Sequence, residues 1–162
     1  MYRPLPYVLL LPLVGACAGT GGAPSAPLEW PVGSFFLEAT ISYAGANGTQ
    51  QDMYSADLFI ASDGSMRMDS HVGALCRPPT PTELDRDARR RVRTFRCGDV
   101  TFELRPGGSA TVLGELSAVV QEAYTEVICV QRASNGSCLQ SIQNVSTRAA
   151  TKQAGLRVRP RN

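Results

Sequence analysis

The sequence is poor in the residues that most metal sites and many enzyme sites need. It has a single histidine, His71, a single tryptophan, Trp30, and no C-x-x-C pair, so a structural zinc site is disfavoured. No serine stands in a nucleophile-elbow pattern, and no second histidine is present to act as a base. Its first apolar run, residues 7–14, is far short of the ~20 residues that cross a bilayer as a helix, and no later run is long enough. From these absences we expect no metal, no other cofactor and no catalytic site. We also expect no helix that spans a membrane.

Lysine is also nearly missing, because Lys152 is the only one among 16 basic side chains. With 14 acidic side chains, the formal net charge is +2 at pH 7. Such a balance favours neither nucleic-acid binding nor a strongly polyanionic partner.

The first 17 residues have the three parts of an export signal. Arg3 supplies the positive start, residues 7–14 form the apolar centre, and small residues lead up to Cys17. The segment Val14-Gly15-Ala16-Cys17 resembles the signal of bacterial lipoproteins, in which an aliphatic residue and two small residues precede a cysteine.

This resemblance implies cleavage before Cys17 and acylation of its thiol and its new amino terminus. Ala18 after the cysteine implies, by analogy with that family, the outer membrane facing the periplasm rather than the inner membrane. Alternatively, an ordinary peptidase could cut at Ala16-Cys17-Ala18 and release a soluble protein. We expect a signal peptide over 1–16, a flexible Gly/Pro-rich tether over 17–31, a disulfide-bonded β-rich domain over 32–159, and a tail over 160–162. Trp30 is expected to seal the start of the fold, the alternative being contact with the membrane interface.

Five cysteines are present, and acylation of Cys17 would leave an even number for disulfides. The four others, Cys76, Cys97, Cys129 and Cys138, allow three pairings. We favour 76–97 and 129–138, because each closes a local loop around a break in the β pattern. Each crosslink would stabilise the fold by about 3 kcal/mol on the chain-entropy model.

Apolar residues alternate with a period of two from Ser34 onward, which predicts strands. Turn signals, among them Asp63-Gly64 and Asn135-Gly136, separate the strands. The pattern predicts a mainly β fold, an antiparallel β-sandwich or open barrel of about eight strands with one short helix. The segment 110–130 is too long for one ordinary strand, so we expect two strands or one long bent strand with Gly114 near the break.

The helix is predicted over residues 82–92. Thr82 would be its N-cap and Asp85 would complete a capping box. Acidic residues come early and arginines late, an order that suits the helix dipole.

An arginine cluster in and after this helix is a candidate contact for an anionic group, since the guanidinium matches phosphate geometry. The alternative is a solvated face balanced by nearby acids. The candidate contact residues are Arg89, Arg90, Arg91 and Arg93, with Arg86 and Arg96 flanking them.

Two other sets of residues, one aromatic and one acidic, are candidates for a ligand site but have simpler interpretations. Eight aromatic residues could line a cavity for an apolar ligand, but at strand spacing they more often form core. Asp57, Asp63 and Asp69 lack the spacing of a metal-binding loop, so no metal is predicted.

The function expected from these features is non-enzymatic: a binding or accessory module of the cell envelope that acts through protein contacts near the membrane. Its partners would be the membrane, through the lipid anchor, and an envelope protein. The alternative is a carrier or sensor of an apolar ligand such as lipid. A hydrolase would be considered only if the fold gathered His71 with carboxylates in a cleft.

Overall fold

The computed structural model describes residues 29–72 and 74–161. The predicted signal peptide, Cys17 and most of the tether therefore lie outside the described residues. The elements in chain order are β1 Gly33–Gly45, β2 Gly48–Ile60, β3 Met66–Ser70, β4 Cys76–Arg77, α1 Pro81–Arg90, β5 Arg93–Cys97, β6 Val100–Gly108, β7 Thr111–Arg132, β8 Cys138–Gly155 and β9 Arg157–Pro160.

The nine strands form two antiparallel sheets that pack as a β-sandwich. The first sheet has the order β3-β2-β1-β9, and the second has the order β4-β5-β6-β7-β8. All pairings between neighbours are antiparallel. The prediction of a mainly β sandwich with one short helix is confirmed, with nine strands in place of about eight.

The core lies between the sheets because each strand turns every second side chain inward. Leu37 and Leu58 from the first sheet are fully buried, as are Phe102, Leu104 and Leu116 from the second. Burying one such side chain contributes about 2 kcal/mol. Trp30 packs against this core, as expected of a residue that seals the start of the fold.

Of the two predicted alternatives for this segment, the structure has the single long strand, because residues 111–132 form β7 without interruption. Gly114 does not break it but lies in mid-strand opposite Leu104. A Cβ on Gly114 would come within 2.8 Å of the Glu103 carbonyl oxygen and of Leu156 Cδ1. The glycine therefore permits close packing of neighbouring chain segments rather than a turn.

The helix begins at Pro81, one residue earlier than predicted, and its N-cap is Thr80 rather than Thr82. Glu83, not Asp85, completes the capping box: its carboxylate accepts from the Thr80 N–H at 2.9 Å, and Thr80 Oγ1 accepts from the Glu83 N–H at 3.4 Å. Proline is favoured in the first turn because it has no N–H to leave unsatisfied. That preference selects Thr80 over Thr82.

Asp87 attaches α1 to the second sheet. It is the one fully buried helix residue, and its carboxylate accepts from the Thr94 backbone N–H at 2.7 Å and from Thr94 Oγ1 at 3.1 Å. The disulfide Cys76–Cys97 adds a covalent link on the same side, since these residues are direct cross-strand partners in β4 and β5. The predicted pairing 76–97 is confirmed.

The chain end is more ordered than a tail. Pro160 belongs to β9 and pairs with Phe35, and the Arg161 N–H donates to the Ser34 carbonyl at 2.8 Å. Backbone pairing with β1 thus continues past residue 159.

The substitution Asp87→Ala is expected to destabilise the fold by about 2–3 kcal/mol, because it leaves the buried Thr94 N–H without an acceptor. Urea unfolding of the oxidised protein would measure this. Asp85→Ala, an exposed position on the same helix, is the matched control and should change stability by less than about 0.5 kcal/mol. Equal effects of the two substitutions would contradict the role of Asp87.

Candidate functional site

Strands β7 and β8 continue past the sandwich as a two-stranded ribbon, residues 121–132 and 138–149, which we call the arm. Only two strands of the second sheet extend this far, because the pairing of β7 with β6 ends at Ala118 opposite Val100. Val120 is the last buried residue of the described chain, since none of residues 121–161 is buried. Twelve residues of strand give the arm a length of about 40 Å.

The arm is apolar on both faces. Of 13 large apolar residues that are exposed in the described chain, seven lie in the arm. Ile128 and Ile142 face each other on one side, while Val127 and Val145 lie on the other. The seven are Tyr124, Val127, Ile128, Val130, Leu139, Ile142 and Val145. Exposed large apolar residues concentrated in one part of a small domain indicate an interaction site.

Charge is concentrated at the base of the arm and nearly absent beyond it. Between residues 123 and 147 only Glu126 and Arg132 are charged. At the base, Glu122 accepts from Lys152 Nζ at 2.5 Å and lies 3.7 Å from Arg148. The hydrogen bond from Lys152 is the main cause that lowers the pKa of the Glu122 carboxyl. The Ala44 backbone, near the end of β1, contributes to the same lowering, so the base of the arm lies beside the end of β1.

The arm is crosslinked near its tip by the disulfide Cys129–Cys138, and the predicted pairing is confirmed. The turn is closed by the Ala133 N–H donating to the Ser137 carbonyl at 2.8 Å, with Gly136 at a φ of 85°. A two-stranded ribbon alone is only marginally stable in water. The crosslink therefore replaces the buried core that the arm lacks.

The predicted arginine cluster is divided between structural and free side chains. Arg90 pairs with Glu103 at 2.8 Å, whereas none of the ion pairs among the described residues involves Arg89, Arg91 or Arg93. Arg91 is the C-cap of the helix and has the left-handed backbone conformation, with a φ of 57°. Anion contact by these arginines stays a prediction.

The two flanking arginines have intramolecular partners. Arg86 lies 3.5 Å from Asp87, and Arg96 lies 3.3 Å from Glu83. Glu83 also receives a bidentate pair from Arg77, at 2.6 and 2.8 Å, which holds the pKa of its carboxyl far below the usual range. Part of the arginine run thus serves to attach the helix to β4 and β5.

His71 meets one carboxylate, on the solvent-facing side of the first sheet. His71 Nε2 lies 3.0 Å from Asp57 Oδ2, and Nδ1 lies 3.3 Å from Ser55 Oγ. Arg161 approaches the other Asp57 oxygen at 2.6 Å, so the carboxylate is already neutralised by an arginine. His71 is exposed on an open sheet surface, whereas the hydrolase hypothesis required several carboxylates around it in a cleft.

Three arginines in and just after β9 were not among the predicted site residues. Arg159 and Arg161 flank the Phe36 ring, at 5.2 and 5.4 Å from its centroid, and Arg159 also pairs with Glu38 at 3.0 Å. The alternation Arg157, Arg159, Arg161 was the available signal, because it places all three on one face of a strand. These contacts hold the last strand to the sheet.

The aromatic residues considered as a cavity lining belong largely to the core. Phe35, Tyr54, Phe95 and Phe102 are buried within the core between the sheets. Phe59 lies on the outer face beneath Arg67, and Tyr124 lies in the arm near Arg148. The set is therefore divided among the core, the outer sheet surface and the arm.

Comparison of the chain with protein-family models, with curated proteins and with solved structures finds no match. Within residues 29–72 and 74–161, no group of three or more histidine, cysteine or acidic side chains is placed to hold a metal ion. No helix in the described part of the chain is long and apolar enough to span a bilayer. The arm is accordingly the feature from which a function is inferred.

Removing the arm crosslink by Cys129→Ser with Cys138→Ser is expected to loosen the arm and leave the sandwich folded. Losing a crosslink that closes nine residues costs the ordered arm about 2–3 kcal/mol. Hydrogen exchange should become much faster in residues 121–149 and stay unchanged in β1 and β2. The double replacement of Cys76 and Cys97 is the control, and it should affect the sandwich instead. Unaltered exchange in the arm would show that the crosslink is not what orders it.

The ion pair of Glu83 predicts a specific acid dependence of stability. Because the pKa of Glu83 in the folded state is lowered from 4.5, its stabilisation is complete above about pH 4.5 and declines as the pH falls below it. Glu83→Gln should therefore lose less stability than the wild type between pH 7 and pH 3 in urea unfolding. Arg77→Met, which removes the partner, should behave in the same way. Parallel pH profiles for the wild type and both variants would contradict this role.

Proposed function

We propose that this chain is a lipid-anchored envelope lipoprotein whose β-sandwich is a non-enzymatic binding module, acting through protein contacts near the membrane. In this proposal Cys17 carries the lipid and holds the domain at the outer membrane facing the periplasm, and the arm contacts another protein. The observation that carries the proposal is the arm itself: about 40 Å of crosslinked ribbon with exposed apolar residues on both faces and almost no charge.

The chemistry of the arm favours a polypeptide partner over a lipid phase. Past Ala118 on β7 and along the whole of β8, the outer strand edges have no neighbouring strand in the described chain. Their N–H and C=O groups would lose water without compensation in hydrocarbon, at several kcal/mol each. A polypeptide strand or surface can satisfy them, whereas acyl chains cannot.

The carrier hypothesis has less support. The space between the two sheets is occupied by fully buried side chains, among them Phe102, Leu37 and Ile41. A site for an apolar ligand usually needs a cavity of about 300–1,000 Å³. The apolar surface that this chain exposes is instead convex and projecting.

The anchoring part of the proposal is supported by the segment Val14-Gly15-Ala16-Cys17. It is also supported by the odd number of cysteines, since acylation of Cys17 leaves four to form two disulfides. Both disulfides use cysteines other than Cys17, so its thiol is left for acylation. Three acyl chains on one cysteine would give stable membrane attachment, since a single chain binds only weakly and two suffice.

Photo-crosslinking in native membranes would test the protein-contact role. A photoreactive amino acid at Val127 or Ile142, both in the arm, should yield a discrete protein adduct. The same residue at Met53, which is 72% exposed and apolar but outside the arm, is the matched control and should yield little. Adducts at Met53 alone, or at no position, would overturn the arm as the contact surface.

The intact mass of the protein extracted from its native membrane would test the anchor. The expected result is a chain that starts at Cys17 and carries three acyl chains. A lipid-free chain that starts further along would overturn the lipoprotein assignment, and the crosslinking result would then apply to a soluble module.

A further inference from the structure

The four outer edges of the two sheets differ in how they are protected against pairing with another strand. Charged residues, prolines and short strands protect an edge. The β3 edge carries Arg67 and Asp69, and the β4 edge has two residues followed by Pro78-Pro79. The β9 edge has four residues, of which Arg157, Arg159 and Pro160 are of the protective kind.

The fourth edge, β8, has no such protection over its outer ten residues. From residue 138 to residue 147 the sequence has no charge, no proline and no glycine, and it reads Cys-Leu-Gln-Ser-Ile-Gln-Asn-Val-Ser-Thr. β8 is also the last strand of the second sheet, so the outer side of this segment has no partner in the described chain. We call residues 138–147 the open edge. A long, uncharged strand at an edge is a template for strand addition.

The open edge has a symmetric order of apolar and polar residues. The residues one and two positions before and after Ile142 are all polar. The residues three positions before and after it, Leu139 and Val145, are both apolar. Antiparallel pairing of the segment with itself about Ile142 would set Ile142 opposite Ile142 of the second copy, and Leu139 opposite Val145 of the second copy. Apolar cross-strand pairs of this kind stabilise a sheet by roughly 0.2–1 kcal/mol each.

We propose that the open edge pairs with the open edge of a second copy of this chain, antiparallel and centred on Ile142. The proposal rests on the proposed function, because it names the protein that the arm contacts. The interface is isologous: the same strand contributes from both copies across a two-fold axis. It joins two second sheets into one continuous sheet through the arms.

Charge and length are both compatible with this pairing. In the Ile142-centred register, Arg148 lies opposite Gly136 of the second copy, so no like charges face each other along the paired segment. Continuing the register places Asn135, in the turn, opposite Ala149 of the second copy. Each tip thus ends beside the base of the other arm and stops short of the other sandwich.

The test uses the full-length chain in its native membrane, with the photoreactive amino acid at Ile142 and with ¹⁴N- and ¹⁵N-labelled copies expressed together. The expected adduct has twice the mass of the chain, contains both isotopes, and joins two peptides from residues 138–147. An adduct of the arm with a different protein only would overturn pairing with a second copy and leave the proposed function standing. Absence of any adduct at Ile142 and Val127 would overturn both.

A charge at the centre of the open edge provides an independent measurement. Ile142→Lys places two lysines opposite each other across the two-fold axis, and it should lower the yield of the doubled adduct, formed from a photoreactive residue at Val145, at least about tenfold. Val119→Lys, at an exposed position on β7 at the base of the arm, is the matched control and should leave the yield unchanged. Circular dichroism would verify that both variants stay folded. An unchanged yield in Ile142→Lys would exclude the Ile142-centred register.

Discussion

The register between β7 and β8 is the constraint on which the rest of the molecule depends. Near the base it places Leu116, Ala118 and Val120 against the core, so these residues decide which side of β7 faces inward. Side chains alternate strictly along a strand, and a slip by one residue would turn every side chain of the arm to the opposite face. The part of the β7–β8 hairpin that packs against the core therefore determines which side chains lie on each face of the arm.

Much of the sandwich could be predicted because its strands and turns depend on residues that are close in the sequence. Alternation of apolar residues identified the inward faces of β1 and β2, and the Asp63-Gly64 and Asn135-Gly136 turns marked two of the hairpins. The favoured disulfide pairing, now confirmed, was the one in which each bond closes a local loop around a break in the β pattern. The helix start could be misplaced because Thr80 and Thr82 are both followed three residues later by an acid, and only Pro81 separates the two choices.

The candidate site was less predictable, because exposure depends on the neighbouring strands. Tyr124 and Ile128 lie on the side of β7 that Leu116, Ala118 and Val120 turn to the core, although Glu122 and Glu126 share that side. Tyr124 and Ile128 are exposed because β6 begins only at Val100, after the Gly98-Asp99 turn, and covers β7 no further than Ala118. Contacts such as Asp57 with Arg161 join residues about a hundred positions apart, and no local pattern announces them. The scarcity of charge over residues 123–147 was the one signal of the arm that the sequence did carry.

Two acids of α1 explain why the arginine-rich segment is more than a charged surface. Asp87 and Glu83 each take hydrogen bonds from outside the helix, so α1 is fixed to β4 and β5 although it buries almost no apolar surface of its own. The arginines that face these acids are committed to the fold. Those that remain, Arg89 and Arg91 among them, are the ones available to an outside anion.

The position where the chain enters the sandwich determines how tethered molecules can be arranged. Pro31 lies beside Ala110 and Pro160, at the end where β7 begins, whereas the Ala44 backbone lies beside Glu122 at the base of the arm. The proposed tether would therefore join the pole opposite the arm, and the 22 residues of β7 place the tip about 70 Å from that pole. Antiparallel arms centred on Ile142 would point the two tethered poles in opposite directions, roughly 110 Å apart along the strands. Since residues 17–31 can extend at most about 50 Å, two such chains on one membrane would lie along its surface. Two chains could pair with their strands perpendicular to the membrane only if they were anchored in two facing membranes.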